Sequence, residues 1–392
     1  MNYLGFIDKI EYQGVNTFLY FDSISLKSGR ELIRSDNKDE ILKIKTYRIR
    51  TVIQNSEKNQ NYFEEGSWFI LRERRKGRLH YIYKDLNDSQ VKESKLRVTK
   101  LDTDKALNQK LANFFSLNDL PDANEEEIIN LATKDAEPKF VGVYNVGHGN
   151  CNAVCEEHAA PLVYFDFGGG CATNARTYPK GLRFCMSYKP PVILSHWDTD
   201  HWVSATSGHF PKALDRIWLV PRQKLGPSHL NLARKLNIKG NLLIWPHGIK
   251  SLPLKDIGEI FKCEGKSLNN SGLGLLTTFD NKRILLPGDA DYKYIEGKFL
   301  VSLDGLVSTH HGAKTTTTNY PIPKSYLNTK CVYSIGQMNS YKHPKLVSLR
   351  GHKRVGWINR LYTPRGHCAI GSHILPLLGC MKADCDLEIT QV

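Results

Sequence analysis

The residues best suited to chemistry lie in one short stretch, Ser195–His201, with the order Ser-His-Trp-Asp-Thr-Asp-His. The stretch follows the apolar run Pro191–Leu194 directly. A strand that ends in such a turn presents its side chains at one sheet edge, and mixed nitrogen and oxygen ligands suit Zn²⁺ or Mn²⁺. The stretch therefore predicts half of a metal site. Its candidate ligands are His196, Asp198, Asp200 and His201.

The other half must come from distant strand ends, because a catalytic metal cluster draws its ligands from several rigid elements. Two segments fit this requirement. Ile284–Asp289 is an apolar strand that runs into a glycine and then an acid able to bridge two ions. Gly305–Gly312 is a short strand that ends in the pair His310-His311. Three such segments in one chain favour a metal centre over three unrelated polar turns.

These segments resemble, in order and spacing, the metallo-β-lactamase superfamily, and within it the branch of ComEC-type DNA-internalisation competence proteins. The signature Ser-His-x-Asp-x-Asp-His is matched at Ser195–His201, and Gly-Asp-Ala is matched at Gly288–Ala290. The other matches follow in family order over residues 139 to 375. They are the opening turn Tyr144–Asn150, Asp-x-Gly at Asp166–Gly168, Asn269–Ser271, His310–Ala313 and Asn339–Pro344.

The resemblance implies an α+β fold in which residues 139–392 form an αββα metallo-β-lactamase sandwich that binds one or two divalent ions, Zn or Mn. We expect two groups of ligands that share Asp289. The first consists of His196, Asp198 and Asp289, and the second of Asp200, His201, Asp289 and His311. Asp166 is expected to orient a ligand histidine through a hydrogen bond.

Further roles are assigned around these ligands. Asp200, His310 and His343 are the candidate catalytic residues, and His310, His343 and Lys314 are expected to contact the phosphate or to protonate the leaving oxygen. The candidate substrate-binding residues are His148, Lys314, Asn339 and Tyr341.

The chain departs from the family pattern at two places. In the opening turn, His148 stands where glutamine is usual and Asn150 where aspartate is usual, so this turn is expected to contact substrate differently. The chain also lacks a clear histidine for the third motif. His247 is near the expected interval but is interpreted as a surface-loop residue.

Net charge is the second informative feature, since a formal charge of +14 and a pI near 9.2 indicate polyanionic partners. From Gly305 to Ala383 the sequence contains no Asp or Glu. The cations of this basic segment are Lys314, Lys324, Lys330, Lys342, Lys345, Arg350, Lys353, Arg354, Arg360, Arg365 and Lys382. Since the segment also carries His310, His311 and His343, phosphate substrates are favoured, and DNA is the expected partner.

The first hundred residues have a different pattern, with five short candidate strands separated by turns. They are Phe6–Tyr12, Thr17–Ile24, Leu42–Gln54, Trp68–Arg74 and Leu79–Lys84. We expect a small β-barrel-like domain over residues 1–100. An OB-like barrel is one option, and an SH3-like barrel or a small sandwich would give the same pattern. A helical linker over residues 101–138, with helices at Lys105–Leu117 and Asn124–Thr133, would precede the hydrolase domain.

One part of this domain has two interpretations. Arginine and lysine alternate with aromatic residues, which is typical of surfaces that bind single strands, but a basic hairpin with its aromatics in the core has the same sequence. The cations are Arg72, Arg74, Arg75, Lys76 and Arg78, and the aromatics are Trp68, Phe69, Tyr81 and Tyr83.

Composition narrows the class of protein. Nine cysteines, an odd number without a repeated CxxC, indicate reduced thiols in a cytoplasmic protein. No apolar run approaches the roughly 20 residues of a membrane helix, so we expect a soluble protein with no membrane partner.

The sequence therefore predicts a metal-dependent phosphodiesterase, a nuclease acting on DNA. One alternative keeps the site but changes the substrate to a small nucleotide or phosphate ester, such as a cyclic dinucleotide. Another is a nucleic-acid-binding component with a degenerate metal site, working with a protein partner in a bacterial defence or DNA-processing system.

Overall fold

The computed structural model describes residues 1–54, 62–83, 91–101, 105–132, 136–206 and 209–371. The chain forms two compact units. The first contains residues 1–121 and 222–240, and the second contains residues 122–221 and 241 onwards. Residues 222–240 thus belong with the first unit, although the sequence predicts them to be part of the hydrolase domain. Lys382 and the rest of 372–392 lie outside the described residues.

The first unit is built on five antiparallel strands. They are β1 Asn2–Gln13, β2 Asn16–Ser25, β3 Thr46–Gln54, β4 Trp68–Tyr83 and β5 Val91–Lys100. They pair in sequence order, and β4 also pairs with β1, which closes the sheet on itself. Alternate residues point to one side of the pleat, and those on the inner side form a core that includes Ile7, Phe21 and Phe69. The predicted barrel-like unit agrees with this closed sheet, and its OB type stays a prediction.

Three differences from the predicted strands have local causes. The two candidate strands Trp68–Arg74 and Leu79–Lys84 are one strand, β4, whose register against β5 shifts between Glu73 and Arg78. The expected start of β3 at Leu42 is replaced by a 3₁₀ turn, Lys38–Lys43, that Asn37 caps by accepting from the Asp39 amide. Strand β5 was missed because its polar sequence buries little besides Ser94 and Leu96.

Helices α1 Leu26–Ser35, α2 Lys105–Phe114 and α4 Pro227–Ile238 complete the first unit, and α3 Glu125–Ile129 belongs to the second. Ser25 caps α1 by accepting from the Ser28 amide. Asn124 and Glu127 form a capping box at α3, where three acidic residues complement the helix dipole. Both predicted helices exist but are shorter than expected.

The aromatic residues on β4 support the core interpretation more than the stacking one. Trp68, Phe69 and Tyr83 are buried, while Arg72 and the cations next to it are exposed. Tyr81 is half-buried and has the Arg50 guanidinium 5.6 Å from its ring. The side chains of Lys76 and Arg78 lie outside the described residues. Three of the four aromatics are therefore not available to stack on a base.

The second unit contains two seven-stranded sheets. The first has the order β11-β10-β9-β8-β7-β6-β19, and the second runs from β12 to β18 in sequence order. The strands of the first sheet are β6 Phe140–Val143, β7 Cys151–Cys155, β8 Pro161–Phe167, β9 Val192–Ile193, β10 Trp218–Val220, β11 Leu242–Ile244 and β19 Cys368–Gly371. Those of the second are β12 Ser251–Leu254, β13 Gly258–Lys262, β14 Leu273–Phe279, β15 Lys282–Leu286, β16 Gly305–Val307, β17 Lys330–Tyr333 and β18 Asn359–Tyr362.

The two sheets share one hydrophobic core. Phe165 and Ile193 from the first sheet belong to the same buried cluster as Leu275 and Val307 from the second. The other side of the second sheet packs against helix α5, Leu346–Arg354, through residues such as Leu349. The second unit is therefore a mixed α and β structure with face-to-face sheets, and the full αββα layering stays a prediction. Within the described part of the chain, no helix has the length and apolar character needed to cross a bilayer.

The first unit contains a buried ionic cluster whose contribution to folding stability can be tested. Asp8 is fully buried, forms an ion pair with Arg48, and has His229 Nε2 3.1 Å from its Oδ1. Burial alone would raise the pKa of Asp8, but Arg48 and His229 outweigh burial and lower it to about 2. The carboxylate thus contributes stability above its unfolded pKa of about 3.9, and this contribution is lost as the pH falls toward 2.

We predict that Asp8→Asn lowers the free energy of unfolding by about 3–5 kcal/mol at pH 7, because it removes the carboxylate that forms the buried ion pair with Arg48. Urea unfolding monitored by fluorescence measures this. Glu31→Gln, which removes only the exposed pair with Lys27, is the control and should change stability by about 0.5 kcal/mol or less. Equal effects of the two substitutions would contradict the assigned role of Asp8.

Candidate metal centre

Most of the candidate ligands follow the carboxyl ends of three strands. Ser195–His201 follows β9, Asp289 follows β15, and His310-His311 follows β16. Strand β9 is parallel to β8 and β10, and β15 is parallel to β16. The carboxyl ends of parallel strands lie at one edge of a sheet, which is where ligand sites form in such folds. The two sheets therefore bring together ligands that are far apart in sequence.

Two groups of side chains can each hold a metal ion. One consists of His196, His201 and Asp289, and the other of His148, Asp200 and His311. Within each group the ligand atoms lie within 4.8 Å of one another, and all six residues are buried.

Asp289 lies between the two groups. Its Oδ1 is 3.2 Å from His201 Nε2 and 3.8 Å from His311 Nε2. Asp198, predicted as a ligand with His196, lies beside the first group, with its Oδ2 3.5 Å from His196 Nε2. In the second, His311 Nε2 is 3.5 Å from Asp200 Oδ2. The carboxylate of Asp289 is thus placed to serve both groups, as a bridging ligand would be.

The residues fit a divalent ion. His196 Nε2, His311 Nε2 and Asp289 Oδ2 are buried and have no hydrogen-bond partner among the described residues. A buried polar atom without a partner costs about 1–3 kcal/mol. A cation in contact with these atoms removes that cost, and imidazole with carboxylate is a ligand set that Zn²⁺ and Mn²⁺ accept.

Hydrogen bonds from outside the groups set the histidine tautomers. Asp166 Oδ2 accepts from His201 Nδ1 at 2.7 Å, and the Ser334 carbonyl accepts from His311 Nδ1 at 2.8 Å. Each bond keeps the proton on Nδ1 and leaves Nε2 as the ligand atom. The expected role of Asp166 therefore has a geometric basis, with His201 as the residue that it orients. Asn150, where the family has aspartate, donates to Asp166 at 2.8 Å.

The charges in the first group are strongly coupled. Burial raises the pKa of Asp289, but His201, His310 and His311 outweigh burial and hold it well below the usual range. Burial lowers the pKa of His201, but Asp289 and Asp166 outweigh it and raise that pKa well above the usual range. The site therefore stabilises positive charge next to Asp289, which either a proton or a metal cation can supply.

The turn that carries His310 and His311 has an unusual backbone. Both residues have positive φ, 46° and 53°. This left-handed conformation is costly for any residue other than glycine. The preceding residue, Thr309, anchors the turn: its hydroxyl donates to the Ala290 carbonyl at 2.6 Å and its amide to the Tyr292 hydroxyl at 3.3 Å. The same hydrogen bonds thus tie the His310-His311 turn to the Asp289 turn.

A neutral histidine supports that anchor. His352 Nε2 lies 2.8 Å from the Tyr292 hydroxyl, and its Nδ1 lies 2.8 Å from the Tyr333 hydroxyl. Burial lowers the pKa of His352 to about 3. The sequence does not point to Tyr292 or His352, because Tyr292 meets the turn through the Thr309 amide, His352 meets Tyr292, and neither belongs to a ligand pattern.

Two predicted assignments differ from the structure. His148, expected to bind substrate, lies in the second metal group, and its ring centroid is 4.8 Å from that of His311. His201, expected in the second group, lies with His196: the two imidazole rings are 4.1 Å apart, and the Ser195 hydroxyl is within 3.2 Å of Nδ1 of both. The signal for His148 was its own departure from the family pattern, since histidine binds transition metals better than the usual glutamine.

The other predicted residues surround the two groups. His310 Nε2 is 3.5 Å from Asp289 Oδ2, and the side chain is 18% exposed. His343 and Tyr341 are buried, with ring centroids 5.5 and 5.0 Å from that of His148. The side chain of Asn339 stabilises its own loop: Nδ2 donates to the His343 carbonyl, and Oδ1 accepts from the His343 backbone amide. The substrate contacts of Tyr341 and Asn339 stay predictions.

His247 is exposed in a loop, and its amide donates to Asp122 Oδ2 at 2.9 Å. This agrees with the surface-loop interpretation.

No protein-family model matches this chain, and a search of curated proteins finds no relative. A search of solved structures finds the metallo-beta-lactamase fold protein YhfI from Bacillus subtilis. The match has 12% sequence identity and a TM-score of 0.35, and it covers 60% of this chain and 98% of that chain. The superfamily and ComEC-type resemblance rests on the sequence motifs.

We predict that Asp289→Ala reduces the bound metal of both groups while the protein stays folded, because the variant loses the carboxylate between them. Metal content after purification without chelator, measured by mass spectrometry, tests this, with circular dichroism as the folding check. Glu296→Ala, which removes an exposed carboxylate, is the control. Unchanged metal content in folded Asp289→Ala would remove Asp289 from the ligands.

We also predict that Tyr292→Phe weakens metal binding about tenfold or more, because it frees the backbone of the His310-His311 turn. The same change leaves His352 and the Thr309 amide short of a buried partner, so unfolding should become easier by about 1–3 kcal/mol. Chelator competition and thermal unfolding measure the two effects. Tyr326→Phe, at an exposed tyrosine, is the control. If Tyr292→Phe binds metal as tightly as the control, the anchor does not position the turn.

Proposed function

We propose that this protein is a metal-dependent phosphodiesterase, and specifically a nuclease that acts on DNA. The observation that carries the proposal is a pair of buried His/Asp groups with Asp289 between them, where Asp289 also lines a pocket that has Lys293 and Lys314 in its wall. A two-ion centre beside cations is the arrangement that phosphate-ester hydrolysis uses.

The pocket has a volume of about 190 Å³ and lies beside Asp289 and His310. Lys293 and Lys314 line it with exposed side chains. Its other acid, Asp291, is engaged by the Thr316 amide at 2.6 Å and the Thr316 hydroxyl at 2.7 Å. The groups left to meet a ligand are thus mainly cationic, which favours an anionic substrate.

The segment that carries His310, His311 and Lys314 is also basic. Among the described residues from 305 to 371 there is no acid, and many cations are exposed. The exposed ones are Lys314, Lys324, Lys342, Arg350, Lys353, Arg354 and Arg365. A long polyanion can contact several of them at once and release counterions, which favours DNA over a small ester.

Divalent ions bound at the two groups supply Lewis acidity toward a phosphoryl oxygen and toward the attacking water. The residues of the chain position the substrate and move its protons. Lys314 is placed to hold the phosphate at the pocket. His310, the most exposed imidazole of the centre, lines the pocket and is the candidate to donate a proton to the leaving oxygen. Asp166 and the Ser334 carbonyl keep His201 and His311 in their ligand tautomers throughout.

Cleavage assays separate this proposal from its alternatives. The full-length protein is given Mn²⁺, Mg²⁺ or Zn²⁺ with plasmid DNA, single-stranded DNA, RNA and a cyclic dinucleotide. Cleavage of DNA supports a nuclease. Turnover of the cyclic dinucleotide alone would replace the substrate, and DNA binding without cleavage under any metal would indicate a degenerate site.

We predict that Lys314→Ala weakens DNA binding and reduces the slope of log affinity against log salt by about one unit, as expected for one lost phosphate contact. Fluorescence anisotropy across a salt series measures the slope. Lys250→Ala removes an exposed lysine outside the basic segment and serves as the control. Binding by the wild type that does not depend on salt would exclude the polyanion as substrate.

A further inference from the structure

The turn Asn269–Ser271 lies between the two elements that supply the first metal group. On one side, the Leu273 amide donates to the Ser195 carbonyl at 2.7 Å, next to His196. On the other side, the Asp291 amide donates to Asn270 Oδ1 at 2.8 Å, two residues after Asp289. These bonds fix the turn against both His196 and Asp289.

The two asparagines of this turn differ in what their side chains do. Asn270 is engaged at both ends, since its Oδ1 accepts from Asp291 and its Nδ2 donates to Ser267 at 2.7 Å. Asn269 is 8% exposed, and its Oδ1 is buried without a hydrogen-bond partner among the described residues. Asn269 also lines the pocket that contains Asp289 and His310.

An unpartnered buried amide oxygen needs either a hydrogen-bond donor or a cation. A substrate in the pocket cannot easily supply the donor, because Oδ1 itself is buried. His196 Nε2 and Asp289 Oδ2 share both properties of this atom, burial and lack of a hydrogen-bond partner. Asn269 and Asp289 line the same pocket, and the chain just after Asn269–Ser271 is bonded to the Ser195 carbonyl next to His196, so an ion held by His196 and Asp289 would lie close to this turn.

We propose that Asn269 Oδ1 is a further ligand of the first group and takes the place of the histidine that the third motif lacks. With His196, His201, Asp289 and the nearby Asp198, it makes a set of two nitrogens and three oxygens. A structural or catalytic zinc site has three or four protein ligands in tetrahedral geometry, whereas Mn²⁺ and Mg²⁺ accept more ligands and prefer oxygen. The oxygen of Asn269 thus narrows the usual advantage of Zn²⁺ over Mn²⁺ at the first group.

This inference rests on the metal centre of the proposed function and not on its substrate, so it is tested by metal binding without DNA. The full chain is stripped of metal and titrated with Mn²⁺ and with Zn²⁺ by calorimetry. The variants are Asn269→Ala, Asn269→Asp and Asn269→His. Thermal unfolding of each stripped variant is recorded in parallel.

Asn269→Ala should weaken Mn²⁺ binding about tenfold or more and Zn²⁺ binding less, while the stripped protein keeps its unfolding temperature, because no hydrogen bond is lost. Asn269→Asp should retain Mn²⁺ binding, since it keeps an oxygen ligand. Asn269→His should shift the preference toward Zn²⁺. His311→Ala, which removes a ligand of the second group, should leave the effect of Asn269→Ala intact.

Wild-type Mn²⁺ affinity in folded Asn269→Ala would overturn the inference while leaving the metal centre in place. A lowered unfolding temperature of stripped Asn269→Ala, with an unchanged ratio of Mn²⁺ to Zn²⁺ affinity, would show a purely structural asparagine. If the wild type binds neither ion, the metal centre itself fails, and the inference fails with it.

Discussion

The candidate centre depends on one buried carboxylate, Asp289, which four imidazoles approach. The distances from its oxygens are 3.2 Å to His201, 3.5 Å to His310 and 3.8 Å to both His196 and His311. Burying a carboxylate is costly unless positive charge compensates it. The low pKa of Asp289 and the high pKa of His201 express that demand. A divalent cation meets it while leaving the imidazoles neutral and able to act as ligands.

The rest of the second unit keeps these groups in place without touching an ion. Asp166 holds the Ser195 amide at 2.7 Å as well as His201, so one carboxylate fixes the start and the end of the ligand turn. The Asp200 carbonyl accepts from both the Asn150 and Gly169 amides at 3.0 Å. Gly168 packs so close to that carbonyl that any side chain there would overlap it. The glycine of the Asp-x-Gly motif is therefore required by a close approach of two backbones.

Sequence patterns predicted the parts of this protein that depend on local residue order. The turn Ser195–His201, Asp289 and the His310-His311 pair come together as expected, since each follows a strand and strand ends are visible as apolar runs. Patterns did not predict which ligands share an ion, because that depends on the path of the backbone: His148 reaches the second group from the opening turn. They also missed that residues 222–240 belong to the first unit, where His229 meets Asp8, a contact between residues far apart in sequence.

The most direct test of this account is a crystal structure of the full chain grown with Mn²⁺, with anomalous diffraction data collected at a wavelength where manganese scatters strongly. We expect one peak bounded by His196, His201 and Asp289. We expect a second peak bounded by His148, Asp200 and His311, with an Asp289 oxygen between the two. The contradicting result would be crystals grown with Mn²⁺ that show no anomalous peak within reach of Asp289. The Asp289 carboxylate would then not be the shared ligand of a metal centre.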